Sequence, residues 1–259
     1  MVPYVKMDEN GEVMSVVHLR GCMAEKVWGR GQGVKIACID SGINPWHPHI
    51  NSLAGGIGFT VKSDGRILAT ENYHDELGHG TAVAGVIMEQ VPEAKLWSVK
   101  IFHQTLSTYM EVLCTAIEWC IEERMDLVNL SLGIRRDAPE LKLLCEQAAE
   151  EGVLIVTACD EQNNLVWPGY YDSVFGVRAG QHCSSDVFFY HPEQKPSFHA
   201  FGLPRELAGP MQKFNFQGHS FAAAHVTGYL AKLKEHFNIT SKEEMERVLH
   251  EVCMSEVSP

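Results

Sequence analysis

The sequence predicts an α/β fold organised around a mostly parallel sheet, and two observations carry that reading. Short runs rich in Val and Ile alternate along the chain with amphipathic segments, the pattern of strands that cross over through helices. The predicted strands are 34–40, 96–102, 127–132, 153–158 and 174–177. Between them Val112, Leu113, Ala116, Ile117, Cys120 and Ile121 recur at helical spacing, as do Leu141, Leu144, Cys145 and Ala148. These stripes are core faces of helices. At 259 residues the chain can bury one large core, so a single domain over residues 1–259 is the simplest count. The stretch 181–217 carries Ser, Pro, Gly and aromatic residues without clear period, and reads as long surface loops with room for a hairpin.

With 45% hydrophobic and 21% charged residues the composition is that of a soluble globular protein. No run reaches the roughly eighteen apolar residues of a membrane span. Lys and Arg total 21 against 33 Asp and Glu, a net charge of −12 without a dense basic run. Nucleic acid is therefore not an expected partner, because binding it needs clustered cations. The first eleven residues show no charged stretch followed by an apolar one, so no secretion signal is expected. Eight cysteines lie scattered without CxxC pairs, several inside apolar segments, which points to reduced, buried thiols and a cytoplasmic location.

Three local patterns each deliver one reactive side chain to a special backbone position. Ile36-Ala37-Cys38-Ile39-Asp40-Ser41-Gly42-Ile43 is a buried strand that ends in a carboxylate and breaks at glycine. Ligands of parallel sheets bind outside such carboxyl ends. Gly78-His79-Gly80-Thr81-Ala82-Val83-Ala84-Gly85-Val86 opens a helix of small residues, and its flanking glycines free the backbone around His79. Most of the 13 histidines must be structural, and His79 stands out only through this setting. Gln217-Gly218-His219-Ser220-Phe221-Ala222-Ala223-Ala224-His225-Val226 is a glycine turn running into a helix. Ser220 falls at the helix N-terminal end, where amides and dipole stabilise a developing anion, although an N-cap serine would sit there equally well.

Asp-Ser-Gly-Ile, Gly-His-Gly-Thr and Gly-His-Ser-Phe-Ala-Ala-Ala-His-Val resemble the three catalytic boxes of the subtilisin-like serine peptidase family, in that family's order of Asp, His and Ser. Ser98-Val99-Lys100-Ile101-Phe102 resembles its central strand, Asn129-Leu130-Ser131-Leu132-Gly133 its substrate-pairing edge, and Trp167-Pro168-Gly169-Tyr170-Tyr171-Asp172-Ser173-Val174 its segment beside the specificity pocket. The resemblance runs from about Gly31 to Lys234. It implies a three-layer α/β/α sandwich and a serine endopeptidase with Ser220 as nucleophile, His79 as base and Asp40 as orienting carboxylate. Peptide or protein would be the substrate, paired along Ser131, Leu132 and Gly133. Val166 would floor the pocket beside Gly169 and favour small or medium residues, against the plain alternative that it only packs beneath its loop.

Four departures from the family pattern matter. Ala158-Cys159-Asp160-Glu161 stands where relatives carry Ala-Gly-Asn, so Asp160 occupies the position of the oxyanion-hole amide. An ionised carboxylate there would repel an oxyanion; burial could keep it protonated, Asn163 or Asn164 could substitute, or the Ser220 amide could suffice. The segment Gly85 to Glu93 lacks the loop that often holds calcium, so the usual strong calcium site is expected to be absent and no cofactor is required. Ala82 and Ala224 replace a common histidine and a common proline, which read as packing changes. Only 39 residues precede Asp40, so no folding propeptide is expected in the chain.

These features favour intracellular processing of a precursor, such as leader removal, over general turnover. A peptide-binding pseudopeptidase is the alternative that Asp160 motivates. A metal hydrolase built on His74, Asp75 and His79 fits poorly, since Gly78 and Gly80 interrupt the helical spacing that zinc motifs need. His182, Cys183, His191 and His199 read as loop residues.

Overall fold

The computed structural model describes residues 2–7, 13–19, 21–23, 29–159, 166–206 and 216–254. Two N-terminal strands, β1 (Val2–Met7) and β2 (Val13–Leu19), pair with each other as an antiparallel hairpin. The main sheet contains β3 (Gly21–Met23), β4 (Lys35–Asp40), β5 (Gly55–Val61), β6 (Ile67–Thr70), β7 (Lys95–Lys100), β8 (Leu127–Leu130), β9 (Leu154–Ala158), β10 (Phe175–Ala179), β11 (Val187–Tyr190) and β12 (Phe198–Ala200). Its spatial order is β3-β11-β12-β10-β9-β8-β4-β7-β5-β6. From β12 to β5 every neighbouring pair is parallel; β11 at one end and β6 at the other run against them, and β3 pairs antiparallel with β11.

Helices cover both faces, and the alternation along β4 shows why. Ile36 and Cys38 join a core with α1 (His79–Gln90), α4 (His219–Phe237) and α5 (Lys242–Met254). Ala37 and Ile39 point the other way, into a core with α2 (Met110–Glu122) and α3 (Pro139–Glu150). A strand buried on both faces must be apolar on both, which is why β4 reads as a continuous hydrophobic run. The result is the three-layer sandwich that the resemblance implied. The predicted stripe of α2 is its buried face residue for residue; on α3, Leu141, Cys145 and Ala148 are buried and Leu144 is partly so.

The five predicted strands are all present, with ends that shift for local reasons. β7 stops at Lys100 because the amides of Ile101 and Phe102 both turn to the Asp40 carbonyl, at 2.9 and 3.3 Å. β8 stops at Leu130 because the chain leaves for an antiparallel bridge between Ile134 and Trp167. The reading of 181–217 holds for the hairpin it left room for, since β11 and β12 pair antiparallel, and needs correction in taking the stretch as surface loops. Residues 187–190 and 198–200 are paired strands of the main sheet, and Phe188, Phe189, Tyr190, Phe198 and Ala200 are core residues. His199 is thus a buried strand residue rather than a loop residue.

Helices α1 and α4 lie in the interior, and their small residues set the distance. A β-carbon on Gly80 would fall 2.2 Å from the Gly42 carbonyl oxygen, and one on Gly228 would fall 2.9 Å from Gln90 Cβ. From His79 to Met88 every residue of α1 is buried, as is the run Phe221 to Ala231 of α4. The cysteine expectation holds in part: Cys38, Cys120 and Cys145 are buried free thiols, Cys159 is a buried thiol outside any disulfide, and Cys114 and Cys183 are partly exposed free thiols. Cys253, by contrast, is disulfide-bonded, which corrects the reading that all eight are reduced.

Candidate active site

The C-terminal edge of the parallel strands collects the predicted residues. In the spatial order β9, β8, β4, β7 the strands end at Ala158, Leu130, Asp40 and Lys100, so Cys159, Ser131 and Ser41 follow one another along a single rim. Asp40 is fully buried there. One carboxylate oxygen accepts from the Ser41 amide at 2.7 Å and lies 2.8 Å from His79 Nδ1; the other lies 3.0 Å from the same nitrogen. A carboxylate can only accept, so Nδ1 carries the proton and Nε2 keeps its lone pair. His79 is the first residue of α1, reached through Gly78 at φ 83°, a left-handed conformation that a side chain would strain. Burial alone would lower the imidazole pKa. The hydrogen bond and charge of Asp40, with Asp75 behind it, outweigh burial and raise it above the ordinary histidine value.

Two supports hold the segment that delivers His79. The Asp75 carboxylate accepts from Ser41 Oγ at 2.8 Å, from the Leu77 and Gly78 amides at 2.9 Å each, and from the Thr81 amide and hydroxyl at 2.9 and 2.6 Å. Ser41 Oγ in turn accepts from the Gly80 amide at 2.9 Å. Asp75 therefore ties the exit of β4 to the first turn of α1. Lys100, paired in register with Asp40, is fully buried; its Nζ donates to the His74 carbonyl at 2.7 Å and to Glu76 at 3.1 Å. His74 itself packs its ring edge against Trp46 and Tyr73. The three residues weighed as a metal set are thus committed to three separate sets of partners. Sequence reading met Asp75 only as a possible metal ligand and Lys100 only as part of a strand; it missed their supporting roles because both act through tertiary contacts.

Ser220 is the second residue of α4, within the first turn whose amides have no partner inside the helix. The turn before it is pinned by Gly218 N to the Gly202 carbonyl at 2.8 Å and by the Ala179 amide donating to His219 Nδ1 at 2.9 Å. The next residue, Phe221, packs its ring 5.7 Å from the His79 ring, with Phe216 at 6.0 Å from the same imidazole. The Ser220 hydroxyl donates to the Ser131 carbonyl at 3.3 Å, long for a hydroxyl donor. The hydrogen-bonded sequence expected of all three residues is thus present between Asp40 and His79, while Ser220 is bonded to the strand exit instead. His225, in the same box, is a structural residue: burial pushes its pKa down to about 4, and it sits 2.9 Å from Gln90 Nε2 and 3.3 Å from the Leu203 carbonyl.

Beyond β8 the backbone alternates in direction. The Leu132 carbonyl accepts from Thr157 Oγ1 at 3.0 Å, while the Ser131 carbonyl is turned to Ser220. Gly133 lies directly against Val166: a β-carbon there would sit 2.0 Å from Val166 Cγ1. Gly169 is close to Cys159, with 2.8 Å from an added β-carbon to Sγ. The structure thus brings Ser131, Leu132, Gly133, Val166, Cys159 and Gly169 together beside the end of β9. Asp160, Asn163 and Asn164 lie outside the described residues.

Comparison with known proteins adds the family. The Subtilase family profile matches residues 31–252. The chain is 32% identical over 256 residues to the minor extracellular protease Epr of Bacillus subtilis (strain 168), covering 92% of this chain and 38% of that protein. It is 29% identical over 277 residues to the major intracellular serine protease of the same organism, covering 97% of this chain and 84% of that protein. It is also 29% identical over 269 residues to the intracellular serine protease of Paenibacillus polymyxa, covering 95% and 81%. A profile matching most of the chain, on a parallel sheet whose rim carries the paired Asp40 and His79, places this protein in the subtilase family of serine peptidases.

Proposed function

We propose that this subtilase is an endopeptidase in which Ser220 is the nucleophile, His79 the general base and Asp40 the orienting carboxylate. The observation that carries the reading is the pairing of His79 Nδ1 with buried Asp40 at 2.8 Å, beside a helix N-terminus that presents Ser220. In this reading Ser220 Oγ adds to the carbonyl carbon of the scissile bond while its proton passes to His79 Nε2. Collapse of the tetrahedral adduct expels the amine, which takes that proton, and leaves an acyl-enzyme. Water, activated by the same imidazole, hydrolyses the ester. Ser220 Oγ must rotate from the Ser131 carbonyl toward His79 for the first step, and such bonds commonly tighten only with substrate in place.

The extended substrate adds along Ser131 and Gly133, with Leu132 contributing its side chain. Val166, packed against Gly133, floors the pocket for the residue before the cleaved bond and restricts it to small or medium side chains. Such restriction suits selective processing of a precursor more than general turnover. Matches to two intracellular serine proteases and the free thiols Cys38, Cys120 and Cys145 support a site of action inside the cell.

A fluorophosphonate probe tests the chemistry. Labelling of Ser220, abolished in Ser220→Ala and accompanied by peptide products in mass spectrometry, is the expected result. The position of Asp160 favours one second reading, a pseudopeptidase that binds extended peptides. Folded protein that binds peptide but leaves the probe unreacted would establish that reading and remove the first.

A further inference from the structure

Beneath the rim lies a buried polar chain that the proposed reaction does not use. Asn129 is the third residue of β8 and is fully buried, with Cys38 as its partner in register on β4. Its Nδ2 donates to Ser131 Oγ at 3.1 Å. Its Oδ1 accepts from Thr227 Oγ1 at 3.0 Å, a hydroxyl whose proton is shared with the Ala223 carbonyl at 2.9 Å. Thr227, also fully buried, stands seven residues beyond Ser220 on α4, two turns down the same helix face.

The connection has a consequence for alignment. Through Ser131 the amide of Asn129 holds the strand exit along which substrate would pair, and through Thr227 it holds the helix that presents the nucleophile. These two parts meet again at the surface, where Ser220 Oγ reaches the Ser131 carbonyl at 3.3 Å. Ser131, Asn129, Thr227 and α4 up to Ser220 therefore form a closed loop of contacts, and its only side-chain amide is Asn129. We propose that Asn129 and Thr227 are positioning residues that fix the height of Ser220 relative to the substrate-pairing edge at Ser131. This rests on the reading of Ser220 as the nucleophile. A buried amide with both ends satisfied is well suited to such alignment. Unlike an apolar contact, it fixes one register between strand and helix, since any slip leaves polar atoms unpaired.

The test uses the whole chain and counts only folded, reactive sites. Thr227→Val keeps the shape and removes the hydroxyl; Thr227→Ser restores it; Asn129→Ala and the double variant complete a cycle. Fluorophosphonate titration gives the number of reactive Ser220 sites, and peptide turnover is expressed per titrated site. Thr227→Val is expected to lower kcat per site about tenfold with KM nearly unchanged, the effect of one misplaced buried hydrogen bond. Thr227→Ser is expected to recover it. Asn129→Ala is expected to lower kcat and raise KM, because Ser131 is released as well, and the double variant is expected to be no worse than Asn129→Ala alone. Wild-type kcat per site in a folded Thr227→Val, or additive losses in the double variant, would overturn the proposal. Failure of the wild type to label at Ser220 would instead overturn the reading on which it rests, so the two failures are distinguishable.

Discussion

Gly133 and Val166 are in direct van der Waals apposition: a β-carbon on the glycine would come within 2.0 Å of the valine Cγ1. One residue belongs to the proposed substrate edge and the other to the proposed pocket floor, so each limits what the other can be. Replacing Val166 by glycine is expected to open the floor and shift preference toward Phe or Tyr before the cleaved bond, by about ten- to a hundredfold in relative kcat/KM. A peptide library read by mass spectrometry checks this. Wild-type preference for Phe or Tyr would remove Val166 as the selecting residue.

Gly133→Ala is expected to displace that valine or the strand exit and to reduce kcat/KM at least tenfold. In the Val166→Gly background the added methyl has room, and activity should recover. Kinetics of the single and double variants decide the matter.

The pH profile follows from His79. Its pKa is raised by Asp40 and Asp75 against the effect of burial, and a general base works only when neutral. Activity should therefore rise along an acid limb centred above about 6.5. Asp75→Asn removes one of the charges responsible and should move that midpoint downward, alongside any loss in rate from disturbed hydrogen bonds to Thr81. The stability contribution runs in the same window. With the folded pKa above the unfolded one, the Asp40–His79 pair stabilises fully below the unfolded value and loses that contribution as pH rises through the folded one. Unmoved kinetic midpoints in the Asp75 variant would show that its charge does not reach the imidazole.

Lys100 gives a separate test of the His79 support. Lys100→Met keeps much of the buried stem but leaves the His74 carbonyl without its donor. A loss of about 1–3 kcal/mol in denaturant unfolding is expected. Glu76→Gln, at a mostly exposed carboxylate, should change stability little, because screened pairs contribute little. Equal effects of the two variants would show that the ion pair, rather than the carbonyl contact, is what matters.

Asp160 follows the end of β9 by two residues, at the position where the family resemblance implies an asparagine. Asp160→Asn supplies a donor where a carboxylate can only accept, and should raise kcat by up to about a hundredfold if an oxyanion forms there. Unchanged single-turnover rates would mean that the oxyanion is held by other groups, the Ser220 amide first among them.

What could be read from the sequence and what could not divides along physical lines. β4, α1 and α4 were legible because their apolar content and flanking glycines are local properties. β5 was not read as a strand, since Gly55, Gly56 and Gly58 weaken its pattern; the structure shows Trp97, Tyr73 and Asn72 occupying the space that side chains would need. β11 and β12 were legible only as room for a hairpin; their bounds and burial were obscured by shortness and by Phe188, Phe189 and Tyr190, which are all buried and so show no alternation. The β1–β2 hairpin was not anticipated either. Asp40 and His79 could be named from their boxes, whereas Asp75, Lys100, Asn129 and Thr227 acquire their partners only when distant segments meet.

The burial of α4 from Phe221 to Ala231 means that the proposed nucleophile rides on a helix whose body lies in the interior. That helix shares its core with the sheet and α1, so the proposed nucleophile takes up its place only as those parts close around it. Newly made copies are therefore potential prey before they are predators. The yield of folded protein should therefore fall as more finished protein is present during refolding.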